Sequence, residues 1–395
     1  MSEIRRMQNT VYKRKPITQI VAETKAYACL ECGKCTAVCP ISYYDPEFSP
    51  RMLVYNAIHG HDSEVLQESQ LWACLSCVAC EAICQSGVRY AEFIKGLRGE
   101  AHELGMTGQC THGGALQSLM HIMTSDDLKQ NRLGWLPKQL KTAITSDTFY
   151  FVGCAPYFDT FFADLGVRTL SAAKGAIALL NRLDIVPALA PNERCCGHDM
   201  LWGGDVENFL KLAQHNVQAI TETGAKRVVT TCPEGYQTLK NEYPHYLGNL
   251  RFEVIHLSEL IAERVSSGDL KFSGMNKKVT YHDPCRLGRF SGIYDEPRTI
   301  LEAIPGLELV EMDHNRATAL CCGTQSWMNC GAVNKQIQAE LLREAKATGA
   351  EMMVTACPKC QIHLKCAMHD EKLGQELQME IQDIAGLVAS ALAKE

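Results

Sequence analysis

The chain has 395 residues, of which 46% are hydrophobic and 21% charged, as in an ordinary globular protein with room for two or three domains. Its formal net charge of −6 argues against a nucleic-acid partner, which would favour a basic surface. No apolar run reaches the ~18 residues that a membrane helix needs, and the basic start MSEIRRMQNTVYKRKP lacks the apolar stretch of a signal peptide, so we expect a cytoplasmic protein with no transmembrane segment.

Cysteine is the most informative residue type in the chain. There are 20 cysteines, and in a cytoplasmic protein such abundance indicates metal or redox centres rather than structural disulfides. Eight of them form two copies of C-x2-C-x2-C-x3-C, and each cysteine of the second copy lies 45 positions after its counterpart in the first. This pattern is typical of two-cluster ferredoxins, whose thiolates hold [4Fe–4S] clusters.

In such ferredoxins the fourth cysteine of each run crosses to the other cluster, which predicts two cubane [4Fe–4S] sites. We name them cubane site 1 (Cys29, Cys32, Cys35, Cys84) and cubane site 2 (Cys39, Cys74, Cys77, Cys80). Pairs of the form C-x2-C also suit zinc, but a zinc ion normally takes its four ligands from two such pairs. Three close cysteines plus a distant fourth, occurring twice, therefore favour iron–sulfur clusters.

Helical patterns surround these two runs. They lie in SPRMLVYNAIHGHDSEVLQESQLW between the runs and in AEFIKGLRGEAHELG after them, where Gly105 is a plausible C-terminal cap. Residues 1–110 are therefore predicted to form an all-α ferredoxin-like segment. Residues 111–147 follow as a poorly patterned connector containing glycine, proline and polar residues, and we assign no function to it.

Residues 148–395 contain two copies of one unit, the first repeat (148–275) and the second repeat (276–395). The strand-like stretches TFYFVGC and RVVTTCPEG of the first repeat correspond to KVTYHDPC and EMMVTACPKC of the second, with helical patterns between them. Strands that alternate with helices predict α/β units with a mainly parallel sheet. A cysteine follows each of these strands, at the carboxyl edge where α/β folds place ligands.

Each repeat also carries a doubled cysteine followed by glycine. The cysteines form a first-repeat site (Cys154, Cys195, Cys196, Cys232) and a second-repeat site (Cys285, Cys321, Cys322, Cys357, Cys360). Adjacent cysteines are awkward as a disulfide but natural as ligands to neighbouring irons. Five thiolates are one more than a cubane cluster uses, which indicates a larger or less regular cluster at the second-repeat site.

With these motifs in order, the chain resembles the heterodisulfide reductase family of D type, in which a ferredoxin-like part is fused to a cysteine-rich part. In that family a single cysteine, then C-C-G, then C-x2-C together hold a non-cubane [4Fe–4S] cluster. The resemblance covers residues 25 to 366 and implies an α-helical two-cluster ferredoxin domain followed by a duplicated α/β cysteine-rich (CCG) domain. It also implies two cubane clusters and one non-cubane cluster, the latter at the second-repeat site.

The first repeat departs from the family motif. It ends C-P-E-G at 232–235, whereas the second repeat ends C-P-K-C at 357–360, so Gly235 stands where the fifth cysteine belongs. The four remaining thiolates suit an ordinary cubane cluster, a zinc ion or a cluster with a substitute ligand, and four free cysteines are a further alternative. In the resembling enzymes two non-cubane clusters each engage one half of a disulfide, so one complete site is poorly equipped for a symmetric split.

Polar residues close to the cluster cysteines are weaker candidates, and no catalytic residue is assigned. His198, His282 and Asp283 are interpreted as neighbours of the clusters that donate hydrogen bonds to sulfur or supply protons. Arginines that flank the cysteines offset the negative charge of a thiolate-rich cluster or hold an anionic substrate; they are Arg194, Arg286 and Arg289.

Three cysteines remain without a role. Cys330 and Cys366 fit no motif and are interpreted as buried apolar thiols. Cys110 forms an isolated Cys-x-His with His112, which is more often incidental than a metal site.

The leading hypothesis is an iron–sulfur electron-transfer subunit of a multisubunit, heterodisulfide-reductase-like oxidoreductase complex. Electrons would pass between a flavoprotein partner and the second-repeat site, with other iron–sulfur subunits in the same complex and membrane association only through a partner. A catalytic (hetero)disulfide reductase subunit and the iron–sulfur subunit of a glycolate, lactate or glycerol-3-phosphate dehydrogenase are alternatives. A non-enzymatic alternative treats the two repeats as structural zinc modules.

Overall fold

The structure is a computed structural model that describes residues 14–67 and 69–393. Most of the basic N-terminal start, residues 1–13, therefore lies outside the described residues. Within the described ranges, no helix is both long enough and apolar enough to cross a bilayer.

Short α-helices separated by cysteine loops make up the ferredoxin-like segment, as predicted. They are Ile17–Glu23, Lys34–Ala37, Pro40–Tyr44, Pro50–Ile58, Asp62–Gln67, Ser69–Ala73, Ala79–Ala82 and Tyr90–Glu103, with a 3-10 turn at Ala26–Ala28. Ser49 caps Pro50–Ile58 by accepting the N–H of Met52 at 3.4 Å. Gly105, just beyond the longest helix, has a φ of +79°, the left-handed conformation that favours glycine. The predicted glycine cap is therefore confirmed.

Backbone hydrogen bonds attach the beginning of the connector, and the residues just before it, to the second repeat. It contains the 3-10 turn His112–Gly114 and the α-helix Ala115–Ile122. The N–H of Thr111 donates to the carbonyl of Trp327 at 2.8 Å, and the N–H of Asn329 donates to the carbonyl of Gln109 at 2.9 Å. The stretch that leads into the connector thus binds the loop that follows C-C-G in the second repeat.

Each repeat contains a small sheet, and every strand pairing in both sheets is parallel, as predicted. The first sheet has the order β1-β2-β3, with β1 at Thr148–Phe151, β2 at Arg227–Thr230 and β3 at Glu253–His256. The second has the order β5-β4-β6-β7, with β4 at Lys277–His282, β5 at Leu307–Leu309, β6 at Met352–Thr355 and β7 at Glu380–Asp383. Because the strands run in parallel, the cysteines that follow them collect at one edge of each sheet.

Helices connect and cover these strands. In the first repeat they are Ala155–Phe161, Thr169–Arg182, His198–Trp202, Val206–Glu222, Pro233–Gln237, Tyr243–Leu247 and Leu257–Ser266, with a 3-10 turn at Ala163–Leu165 and a π-helical turn at Thr238–Glu242. In the second repeat they are Asp295–Glu302, Ala332–Ala347, Pro358–Met368, Gly374–Leu377 and Ile384–Ser390, with a 3-10 turn at Arg316–Thr318.

The two repeats share one hydrophobic core. Buried side chains of both sheets, such as Phe149 and Val279, belong to the same cluster of packed apolar residues. Helix Thr169–Arg182 of the first repeat packs closely along helix Ile384–Ser390 of the second repeat. A Cβ at Gly175 would lie 2.4 Å from the carbonyl oxygen of Ala385, so this close approach requires glycine.

The ferredoxin-like segment has its own core, and the second repeat contributes to it. Cys321, Met328 and Ile337 are buried together with the apolar residues of the segment. The ferredoxin-like segment therefore packs directly against the C-C-G loop of the second repeat.

Candidate iron–sulfur and metal sites

The four cysteines predicted for cubane site 2 surround one small buried cavity. Cys39, from the first cysteine run, lines it together with Cys74, Cys77 and Cys80 from the second. Left-handed backbone at Ser76, with a φ of +43°, curves the loop so that its N–H points at the Cys74 Sγ, 3.3 Å away. Four sulfurs around an enclosed space fit a [4Fe–4S] cluster, and they include the cysteine that was predicted to cross over.

The cysteines of cubane site 1 lie nearer the surface. The Glu31 N–H donates to the Cys29 Sγ at 3.4 Å, while Cys32 is exposed. Cys84 packs with Cys29 against the same hydrophobic core. Helices Lys34–Ala37 and Ala79–Ala82, which carry parts of the two runs, also contact one another. The arrangement suits a cluster that a partner can approach.

Burial and neighbouring charge move the thiol pKa values at cubane site 2 in opposite directions. Burial raises the pKa of Cys39 to about 12 and raises that of Cys80 well above its usual value. A hydrogen bond with Cys321 and the nearby positive charge of Arg289 lower the pKa of Cys77 to about 6, against the opposing effect of burial. Cys77 is therefore the thiolate of this site that the second repeat stabilises most directly.

The five cysteines of the second-repeat site form a chain of contacts. Cys322, Cys357 and Cys360 pack together, Cys285 packs beside Cys321, and the pKa values of Cys321 and Cys360 are raised by their neighbouring thiols. The N–H of Cys360 also donates to the Cys357 Sγ at 3.4 Å, at the start of helix Pro358–Met368. All five sequence-predicted ligands are thus together, as a non-cubane cluster on five thiolates requires.

The second-repeat site adjoins cubane site 2, because Cys321 is buried in the same cluster as Cys77. Two arginines of the second repeat hold the junction. Arg286 donates to the Ser76 Oγ at 2.9 Å, and Arg289 donates to the carbonyl oxygens of Cys77 at 2.7 Å and Ala319 at 2.6 Å. Both guanidinium groups bring positive charge to sites rich in thiolate, consistent with a charge-balancing role.

Arg98 joins the ferredoxin-like segment to both repeats. Its side chain is fully buried, and it donates to the carbonyl oxygens of Leu71, Trp72 and Cys74 in its own segment. It also donates to the carbonyl of Trp202 at 3.1 Å and to the Gln325 Oε1 at 2.6 Å, one in each repeat. Among the described residues Arg98 forms no ion pair with a carboxylate. Burial raises the pKa of Cys74, and the positive charge of Arg98 partly offsets that rise.

The four cysteines of the first-repeat site line a second small cavity, which lies where the two repeats meet. The Sγ atoms of Cys154 and Cys195 are 3.3 Å apart. Asn216 and Tyr243 fix the doubled cysteine by donating to the carbonyl oxygens of Cys195 at 2.9 Å and of Cys196 at 3.1 Å. Four sulfurs on a held backbone around one cavity fit a metal centre.

Gly235 lies beside this cavity, at the place of Cys360 in the other repeat. Its N–H donates to the Cys232 Sγ at 3.5 Å, as the N–H of Cys360 does to Cys357. A Cβ at Gly235 would find its nearest neighbours at 3.6 Å, which is ordinary contact. Space for a fifth side chain is therefore present, and only the thiol is missing.

A buried group of charges fills the space beside the first-repeat site. The Lys359 Nζ lies 2.5 Å from the Asp199 Oδ1 and 2.8 Å from the Glu234 Oε2. Burial alone would lower the pKa of Lys359, but the two carboxylates outweigh it and raise that pKa well above the usual value. Burial raises the pKa of Glu234 to about 7. Lys359 therefore stays charged between the two acids.

The three neighbouring residues predicted from the sequence have different surroundings. His282 is buried, and neither ring nitrogen has a hydrogen-bond partner among the described residues. Asp283 receives both guanidinium nitrogens of Arg298 at 2.8 Å, which indicates a structural ion pair. His198 lines the cavity of the first-repeat site, and burial lowers its pKa well below the usual value.

The proximity of three cysteines was not predicted from the sequence. Cys110, Cys330 and Cys366 line one open cleft of about 380 Å³ that reaches Thr324, next to the second C-C-G. Cys330 and Cys366 are partly exposed rather than buried, so that interpretation was wrong. The Lys335 Nζ lies 3.1 Å from the Cys366 Sγ. Only the folded loops bring these cysteines together, and no spacing in the sequence signals it.

Comparison with protein families places two domain types on the chain. Residues 25–88 match the 4Fe-4S dicluster domain, and residues 148–240 and 279–365 each match the cysteine-rich domain CCG. The matched ranges contain the two cysteine runs and the two doubled cysteines.

Curated relatives share this organisation. The chain is 33% identical over 275 residues to the D subunit of the dihydromethanophenazine:CoB–CoM heterodisulfide reductase of Methanosarcina mazei, covering 68% of this chain and 64% of that protein. It is 34% identical over 221 residues to the EtfAB:quinone oxidoreductase of Syntrophomonas wolfei, covering 53% of this chain and 30% of that protein. The chain thus spans less than two thirds of these relatives.

A solved structure has a similar fold. A hypothetical protein from Helicobacter pylori superposes with a TM-score of 0.55 at 12% sequence identity, covering 97% of this chain and 74% of that one. At this identity the likeness concerns the fold alone.

Proposed function

This chain belongs to the heterodisulfide reductase D-type family of iron–sulfur oxidoreductase subunits, and from that premise we propose that it is the electron-transfer subunit of a multisubunit complex. In this proposal, electrons pass between a flavoprotein partner and the second-repeat site by way of the ferredoxin-like segment. The iron–sulfur clusters, when bound, supply one-electron chemistry at these sites.

The packing of Cys77 with Cys321 in one buried cluster is the observation that carries the proposal. A predicted ligand of cubane site 2 thus lies in the same core as a predicted ligand of the second-repeat site, so the two sites adjoin inside the protein. Arg286 and Arg289 hold this junction with hydrogen bonds and supply positive charge to it. A buried, hydrogen-bonded junction of this kind would favour electron transfer, because polar groups already held in place reorganise little when the charge changes.

The surroundings of the first-repeat site favour relay over symmetric disulfide cleavage. Lys359, Asp199 and Glu234 occupy the space where the repeats meet, and all three are largely buried. A disulfide placed between the repeats would have to separate this ion pair, which is costly in a buried environment. The missing thiolate at Gly235 argues in the same direction.

Reduction of the purified chain under anaerobic conditions tests the relay. We expect that a low-potential viologen reduces the second-repeat site of the wild type quickly, as followed by electron paramagnetic resonance. The variant Cys39→Ala removes a predicted ligand of cubane site 2 and should slow that reduction at least tenfold. The matched variant Cys232→Ala alters the first-repeat site and should leave the rate unchanged. Equal rates in wild type and Cys39→Ala would refute the relay.

Two further measurements separate the alternatives. Rapid turnover of a heterodisulfide by the dye-reduced chain, abolished by Cys322→Ala, would support a disulfide reductase instead. Purification of the native complex should yield a flavoprotein partner. Iron analysis should give about twelve atoms or more per chain, whereas about eight would favour zinc modules in the repeats.

A further inference from the structure

The two repeats differ at three positions of their cysteine motifs, and two of these differences compensate each other. The first repeat reads C-C-G-H at 195–198 and C-P-E-G at 232–235, whereas the second reads C-C-G-T at 321–324 and C-P-K-C at 357–360. The repeat that lacks the last cysteine therefore carries a histidine, His198, directly after its doubled cysteine. Thr324 stands at that place in the complete repeat.

His198 lines the same cavity as the four cysteines of the first-repeat site, and only 1% of it is exposed. Its Nδ1 lies 3.1 Å from the Thr238 Oγ1. Its Nε2 has no hydrogen-bond partner in the described part of the chain. A buried nitrogen without a partner is unfavourable, and a bound metal ion would remove that cost by accepting the nitrogen lone pair.

The free nitrogen is also close to the position of the missing thiol. The His198 Nε2 lies 3.4 Å from the Glu234 Oε1, and Glu234 directly precedes Gly235. Helix Pro233–Gln237 brings residue 235 to the same cavity, which Gly235 lines as well. The imidazole thus lines the same cavity as Gly235 and the four cysteines.

The neighbouring carboxylates are poorer candidates for this role. Asp199, Glu234 and His198 have ligand atoms within 4.8 Å of one another, but the Lys359 ammonium holds both acids at 2.5–2.8 Å. Turning either acid toward a metal would weaken the pairing of the buried Lys359, which is unfavourable because the charge would lose a partner. The His198 Nε2, in contrast, makes no hydrogen bond among the described residues, and its distance from the Glu234 Oε1 is 3.4 Å.

We propose that the His198 Nε2 is the fifth ligand of a metal centre in the first-repeat site, in the place that a cysteine takes in the second repeat. The inference rests on the proposed iron–sulfur function. With the hydrogen on Nδ1 and donated to Thr238, the Nε2 keeps the lone pair that a metal requires. Thr238 is then a positioning residue. For an iron–sulfur cluster, neutral imidazole in place of a thiolate would give a higher reduction potential than five thiolates give.

The test uses the full chain, purified anaerobically with its native metals and labelled with ¹⁵N-histidine. Iron and zinc analysis identifies the metal, and nitrogen ligation is then read by pulsed electron paramagnetic resonance for iron or by X-ray absorption for zinc. We expect a nitrogen ligand that disappears in His198→Ala. Cys196→Ser should remove the same signal, which assigns it to the first-repeat site.

Two variants guard against a merely structural effect. His256→Gln changes a buried histidine of the same repeat whose two nitrogens already have partners in Ser258 and Thr231, and it should keep the nitrogen signal. The double variant His198→Ala with Gly235→Cys provides five thiolates and no histidine at this site. It should therefore bind metal without nitrogen ligation.

Two results would overturn the inference. One is nitrogen ligation that persists in His198→Ala, and the other is a wild-type first-repeat site that holds no metal or holds it through sulfur alone. If the cubane sites and the second-repeat site contain iron in that experiment, only the inference about His198 fails. Absence of iron from those sites as well would instead contradict the proposed function.

Discussion

Glu234 and Lys359 occupy the same position in the two repeats and form an ion pair with each other, with the Lys359 Nζ 2.8 Å from the Glu234 Oε2. Each residue follows the proline of its own C-P motif, so the two copies of one motif meet where the repeats join. The two copies of the duplicated unit thus carry opposite charges at this equivalent position, and the two charged side chains contact each other. The ion pair thereby fixes how the two halves face each other.

Removal of Lys359 should strongly destabilise the protein. Lys359→Met keeps most of the side-chain volume but leaves Asp199 and Glu234 buried without a counter-charge, which we expect to cost about 3–5 kcal/mol of unfolding free energy. Anaerobic urea denaturation measures this. Lys372→Met, at an exposed position, is the matched control and should change stability by less than about 0.5 kcal/mol. A small loss in Lys359→Met would show that the ion pair is dispensable.

Arg98 should be required for docking of the ferredoxin-like segment. Arg98→Leu leaves up to five carbonyl and amide oxygens without their donor, so we expect a loss of about 3 kcal/mol or more and loss of iron from cubane site 2. Urea denaturation and iron analysis report the two effects. Arg89→Leu replaces an exposed arginine next to the same helix and should retain the iron. An Arg98→Leu protein with full iron content would contradict this role.

Asp383 should make the protein less stable as the pH rises. Burial raises its pKa to about 7, although its hydrogen bond to the Ala385 N–H opposes this. A carboxyl with a folded-state pKa above its unfolded value stabilises the fold at low pH and loses that contribution as the pH rises through the folded-state pKa. Between about pH 5.5 and 8.5 the loss is roughly 2 kcal/mol.

The variant Asp383→Asn tests this pH dependence. Asparagine keeps the oxygen that accepts the Ala385 N–H but cannot ionise, so the corresponding part of the pH slope should vanish. Denaturant titrations at several pH values provide the measurement. Glu380→Gln, at an exposed position of the same strand, should leave the slope intact. If the unfolding free energy of Asp383→Asn depends on pH as that of the wild type does, a group other than Asp383 causes the pH dependence.

Gly235→Cys should convert the first repeat into a copy of the second. The added Cβ meets its nearest neighbours at 3.6 Å, so we expect no loss of stability. The fifth thiolate should give the first-repeat site the spectroscopic signature of the second-repeat site. Gly235→Ala adds the Cβ without the thiol and should leave the spectrum unchanged. A spectrum that does not change in Gly235→Cys would mean that the first-repeat site is not built like its counterpart.

The sequence predicts the α/β repeats well because alternating strand and helix patterns depend on local periodicity, whereas the cubane sites stay a prediction from cysteine spacing. Strands of alternating βα order pair in parallel, and close cysteine spacing requires a loop that wraps a cluster. Crossover of Cys39 to the second run is also visible in the structure, since it lines a cavity with Cys74 and Cys80.

Contacts between distant parts of the chain could not be predicted in this way. The connector was given no role, yet Gln109 and Thr111 at its start bind the loop around Trp327. That loop has left-handed backbone at Ser326 and Trp327, which no residue type there signals. Convergence of Cys110, Cys330 and Cys366 follows from the same loop. The partnership of Glu234 with Lys359 likewise depends on how the repeats face each other.

The buried contact between Cys77 and Cys321 has a consequence for how the protein matures. Both residues are less than 9% exposed once the ferredoxin-like segment lies against the second repeat. Iron and sulfide would then have to reach cubane site 2 before this interface closes, or through a local opening of it. Docking of the ferredoxin-like segment on the second repeat thus shields two predicted cluster ligands from solvent with a single contact.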